Sequence, residues 1–174
     1  MAQMCYHKNE GDESENMDEQ AKKTALRGIG YGLYVVGTKV GDEVNAFGAN
    51  WVTQASFTPP LVAVAAKKGT TSCDGIRDSG VFSVNVLETG QKDLVFSFFK
   101  PVSRVGNKFG DVEFYTSTTG SPILQDALAW FECTVVDVVD RGDHTLFVGE
   151  VVDAGVHRQG DPLTLKETGL FYGG

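Results

Sequence analysis

The chain has 174 residues, a length that fits one domain with room for a packed core. Its apolar fraction of 41% is that of a globular protein. The formal net charge of −8, with no run of Lys or Arg longer than a pair, argues against general binding to nucleic acid or an anionic membrane.

Taken from the start, Asn9 to Glu19 reads NEGDESENMDE and carries six acids and no base. Residues 1–16 are therefore expected to be a solvated, disordered leader or a remnant foreign to the fold, with one domain over 17–174. Asp18 to about Gly28 suits a short helix. YGLYVVGTKV is β-branched and aromatic, as a strand should be, and Gly41-Asp42 is a two-residue hairpin turn into EVNAFGANW. After Pro59-Pro60, LVAVAA reads as a buried strand; at six residues it is far short of the roughly 18 of a membrane helix. TTSCDGIRDSG suits a helix with a hydroxyl N-cap and Gly80 as terminator.

VFSVNVL (81–87) is the next strand. GQKDLVFSFFKP places Leu94, Val95, Phe98 and Phe99 at helical spacing and ends before Pro101. Val102 to Pro122 reads as loop with a short strand. A long hairpin follows: ALAWFECTVVDVV, the turn DRGD, and HTLFVGEVVDAGV. Many strands with few short helices favour a β-barrel over an alternating α/β sheet. No Gly-x-Gly-x-x-Gly follows a strand, so a nucleotide would have to be held by other means.

Three segments could carry chemistry. Lys67 to Ser72 lies between a strand and a helix start, where unpaired backbone N–H groups, the helix dipole, lysines and hydroxyls suit an anion. Taken alone, a capped helix with solvated lysines is the simpler reading. Ala46 to Ser56 mixes small residues with Asn50, Thr53, Gln54 and Ser56, which suits the edges and face of a flat heteroaromatic ring. It equally suits a bulged strand with Trp51 in the core. His144 opens a strand beside a turn, where it could steady a carboxamide or an anion, or be a plain surface histidine. Cys5, Cys73 and Cys133 are far apart, with no Cys-x-x-Cys, so neither a disulfide framework nor a zinc site follows and a reducing cytoplasm is expected. Cys73 and Cys133 sit in apolar contexts that suit inert thiols. Gly-x-Ser-x-Gly, His-Glu-x-x-His and P-loop motifs are absent.

In order, GLYVVGTK, VNAFGANWVTQASFTPPLVAVA, TTSCDGIRDSGVFSVNVL, NKFGDVEF, SPIL, GDHTLFVGEV and PLTLKETGLFYGG resemble the flavin reductase-like family, the FMN-binding split barrels. The ANW version is closer to its flavoredoxin-like and flavodiiron-associated branch. The resemblance implies a mainly β fold, a six-stranded antiparallel split barrel with a few short helices, forming a homodimer. It implies a flavin, FMN or alternatively FAD, bound by Ala49, Asn50, Trp51, Val52, Thr53, Gln54, Ser56, Lys67, Thr70, Thr71, Ser72, Asn85 and His144. The implied activity is hydride transfer from NADH or NADPH to flavin, with His144 positioning rather than exchanging protons and no metal. A flavin-dependent oxygenase or another electron acceptor would be the partner. An FMN-binding electron carrier without NAD(P)H turnover is the alternative, and a split barrel holding haem or another ligand without redox chemistry is a third.

Overall fold

A computed structural model describes residues 17–173, and the expected leader lies outside them. The described residues fall into two units, 17–29 with 171–173, and 30–170. In the first unit, α1 (Glu19–Leu26) starts where the Asp18 carboxylate accepts from the amides of Gln20 and Ala21, and none of its residues is buried. Arg27 Nε donates to the Gly173 carbonyl at 3.3 Å, with its guanidinium 5.5 Å above the Phe171 ring.

The larger unit is mainly β. Its strands are β1 (Tyr34–Val40), β2 (Glu43–Ala49), β3 (Val52–Phe57), β4 (Pro60–Lys67), β5 (Val81–Val86), β6 (Arg104–Val105), β7 (Lys108–Phe109), β8 (Val112–Thr116), β9 (Pro122–Leu124), β10 (Ala129–Val139) and β11 (His144–Val156). Seven form an antiparallel sheet in the order β2-β1-β5-β10-β11-β4-β3, and four form a second sheet, β6-β7-β8-β9. The count of six strands is thereby corrected to eleven among the described residues, and the barrel is not closed.

The geometry of the opening follows from connectivity. The edge strands β2 and β3 are joined by Asn50 and Trp51 alone, so the large sheet must curl until its two edges meet. They do not pair with each other. At the β2 edge, the Gly48 amide instead donates to the Phe98 carbonyl at 3.0 Å. A Cβ on Gly48 would lie 2.5 Å from the Phe99 ring, so a larger residue there would have to displace that ring. At the other edge, β3 shifts register against β4 between Gln54 and Ser56, a bulge in the strand. Two further shifts in β10, at Glu132/Cys133 and Val135/Asp137, add twist to the long β10–β11 hairpin.

Two cores result. One lies on the face of the sheet that packs against α2 (Thr71–Ser79), where Val36, Val64, Phe82, Cys133 and Phe147 meet Cys73 and Ile76 of that helix. The other lies outside β1, β2 and β5, where Val35, Ala46 and Leu87 meet Val95 and Phe98 at α3 (Lys92–Ser97) and Phe109, Phe114 and Leu124 of the small sheet. The expected hairpin at Gly41-Asp42 is present, since Val40 pairs with Glu43. The segment from Val102 to Pro122 holds more strand than expected. Its turns at Gly106 and Gly110 take φ of 61° and 57°, which lets very short strands reverse and bury Phe109 and Phe114.

Candidate functional site

The expected segments meet at one end of β4. Asn50 and Trp51 form the link between β2 and β3, and the Trp51 carbonyl accepts from the Ala65 amide at 3.0 Å. The Trp51 ring tilts against the His144 ring, with centroids 4.7 Å apart. His144 opens β11 directly opposite Lys67, the last residue of β4. Its Nδ1 lies 2.9 Å from Asp143 Oδ1, and its side chain is only 13% exposed. The partnership with His144 holds the Asp143 carboxyl below the ordinary carboxylate range.

From Lys67 the chain turns into α2. The Thr70 hydroxyl donates to the Lys67 carbonyl at 2.8 Å and accepts from the Cys73 amide at 3.2 Å, so Thr70 is the helix cap. Gly80, with φ 68°, ends the helix as the sequence predicts. Thr71 is exposed at the first helical position. Ser72 is buried and its hydroxyl accepts from Asn45 Nδ2 at 3.1 Å, so it faces β2 rather than solvent. The amides of Thr71 and Ser72 occupy the first turn, where no helical carbonyl can reach them.

Asn50 gives the clearest indication of a ligand. It is 7% exposed, and its Nδ2 is buried without a hydrogen-bond partner among the described residues. A buried donor left unpaired costs about 1–3 kcal/mol, and native structures rarely tolerate it without a reason. Ala49 beside it is buried and adds no polar group.

The remaining expected residues divide. Val52 packs at the margin of the core that α2 covers. Thr53 and Gln54 are exposed on β3, and Ser56 lies opposite Leu61, six residues along β4 from Lys67. That separation is about 20 Å at the rise of a β-strand, so Ser56 stands at the far end from the turn. Asn85 is corrected. It is fully buried, donates to the carbonyls of Val35 and Pro122, and accepts from the Leu124 amide at 2.7 Å. Its amide is consumed in tying β5 to β1 and β9. Cys133 is no nucleophile, because burial first and then Glu132 push its thiol up to about 12. A cleft of about 400 Å³ lined by Lys39, Glu43, Arg104 and Phe114 shares no residue with the cluster.

Sequence reasoning missed Asn45, Asp140 and Asp143. Two of these lie in the DRGD turn, where acids read only as turn formers. A strand beginning with His directly after an Asp was the available signal.

Residues 26–174 match the family model described as flavin reductase like domain. The chain belongs to that family. It is 32% identical over 139 residues to the "Probable flavin reductase" of Rhizobium meliloti, covering 79% of this chain and 44% of the relative. To the "High molecular weight rubredoxin" of Moorella thermoacetica it is 35% identical over 142 residues, covering 80% of this chain and 62% of that one. The chain thus spans about half the length of these two curated relatives. Among solved structures, BorF, the flavin reductase component of a bacterial two-component tryptophan halogenase, superposes with a TM-score of 0.76 at 30% identity, over 90% of this chain and 98% of that one.

Proposed function

We propose that the domain is an NAD(P)H-dependent flavin reductase, with FMN at the cluster around Asn50, Trp51 and His144. The carrying observation is the buried, unpartnered Asn50 amide at the open seam, a donor that a carbonyl on the edge of a flavin ring would satisfy. The donor set fits the group. Small and polar residues at Ala49–Gln54 suit the ring, while Lys67, Thr71 and the first amides of α2 suit a terminal phosphate. A bound flavin supplies the hydride-accepting ring, so the chain needs no general base. Its residues bind and orient: Asn50 and the seam backbone hold the ring edge, and His144, braced by Asp143 and Trp51, positions the nicotinamide face.

The family and its named reductases support this reading. The halogenase reductase supports release of reducing equivalents to a flavin-dependent partner enzyme. A homodimer is proposed from the outer face of β10 and β11. There Val136, Leu146, Val152 and Val156 are exposed at 53%, 36%, 46% and 65%, an apolar stripe that a second copy would cover. A cytoplasmic setting is proposed from cysteine usage; no helix among the described residues is long and apolar enough to cross a membrane.

A second reading, an FMN electron carrier without NAD(P)H turnover, draws on the likeness to a rubredoxin. The deciding experiment is purification without added flavin, a visible spectrum, and anaerobic titration with NADH and NADPH. Bleaching of a yellow protein by either coenzyme supports the reductase. A yellow protein that neither coenzyme bleaches supports the carrier. A protein that neither copurifies with flavin nor binds it when added refutes both.

A further inference from the structure

The turn between β4 and α2 carries two adjacent lysines that the fold treats differently. Lys67 is exposed at the end of β4, opposite His144. Lys68 Nζ is instead held 2.6 Å from Asp140 Oδ1. The same carboxylate accepts from Arg77 Nη2 at 3.2 Å and from the Thr145 hydroxyl at 3.0 Å. Arg77 Nη2 also donates to Thr145 Oγ1 at 3.0 Å. One acid thereby gathers the β4–α2 turn, the last turn of α2 and the start of β11. Hydrogen bonds from Lys68 and then Thr145 hold its carboxyl below the ordinary range, so it stays anionic into mild acid.

We propose that Asp140 is an internal counter-anion that occupies Lys68 and Arg77 and so limits the affinity of the β4–α2 turn for a phosphomonoester dianion. The proposal rests on the reading of that turn as the flavin phosphate subsite. Three groups of like charge stand near the turn, and the one carboxylate engages two of them and offsets a single unit of their charge, leaving Lys67 as the cation not engaged by it. The bridges are about 40% exposed, in the range where such pairs are weak and a dianion can compete for the same cations. Asp140 would then act as a selectivity device. It leaves binding of the uncharged ring untouched and tempers the contribution of the phosphate.

The test titrates FMN and riboflavin, followed by flavin fluorescence, into the wild-type chain, Asp140→Asn, and Asp140→Asn combined with Lys68→Met. The single variant should bind FMN roughly two- to fivefold more tightly at low ionic strength, with riboflavin unchanged. The gain should vanish at about 1 M salt, where the screening length falls to about 3 Å, and should shrink in the double variant, where Arg77 alone is freed. If the wild type prefers FMN to riboflavin but Asp140→Asn binds FMN no more tightly, the counter-anion role is overturned while the phosphate subsite stands. Equal weakening of both flavins in Asp140→Asn makes the residue a scaffold and overturns the proposal. A wild type that binds FMN and riboflavin alike removes the phosphate subsite, and the proposal with it.

Discussion

Replacing Asn50 by Leu separates the cost of a ligand site from its benefit. In the ligand-free chain the Asn50 amide is buried with an unpartnered Nδ2. Such a donor costs about 1–3 kcal/mol, and an apolar side chain of similar size removes that penalty. The ligand-free variant should therefore melt at the wild-type temperature or above it, by about 2–4 °C for each kcal/mol recovered in a chain of this size. With flavin present the sign reverses. A ring acceptor that met Nδ2 now faces a methyl group, and the loss of about 1–3 kcal/mol corresponds to roughly one to two decades in affinity. FMN and riboflavin should lose equally, because the ring is common to both. Thermal melting of the ligand-free protein and parallel fluorescence titrations measure the two halves. A variant that melts several degrees lower yet binds flavin as well as the wild type would refute the reasoning, since Asn50 would then be a structural residue.

Thr71→Ala should weaken FMN by about a decade and spare riboflavin, because Thr71 is exposed and caps nothing, whereas Thr70→Ala should cost about 1 kcal/mol of stability through loss of the cap and affect both flavins alike; paired titrations and melts read both variants. The Cys133 thiol is raised to about 12 from 9.0, so between those values the unfolded chain has released a proton that the folded chain retains. Its contribution to stability is therefore complete below pH 9 and is lost as pH climbs toward 12, and Cys133→Ala should flatten the alkaline limb of melting temperature against pH. Val152→Asp should halve the mass seen by light scattering at micromolar concentration if the β10–β11 face joins two copies; a wild type that is monomeric with flavin bound would sink the dimer.

What the sequence made legible follows from how local each signal is. The β1–β2 turn, the hydroxyl cap of α2 and the Gly80 stop were readable because the chemistry lies within a few adjacent residues. The eleven-strand count was not, since two-residue strands such as β6 and β7 are too short to show alternation. Their place is set by Phe109 and Phe114 stacking in the outer core. The gathering of Trp51, Lys67 and His144 was reachable only through the family resemblance, because strand pairing between distant segments leaves no mark on spacing. The bonding of Asn85 was hidden for a related reason. A lone Asn in an apolar strand looks the same whether its amide meets a ligand or three backbone groups. Asp140 escaped notice because its partners Lys68 and Arg77 lie more than sixty residues away.

An unclosed sheet exposes two rows of backbone donors and acceptors, and such rows are templates on which other chains can add strands and grow into fibres. Here each row is interrupted at its own edge. On β2 the Phe98 carbonyl already occupies the Gly48 amide, and on β3 the bulge at Gln54–Ser56 breaks the even spacing that an added strand would require. The seam is thus poorly suited to an added strand. Both interruptions are devices that discourage edge-to-edge pairing with another chain.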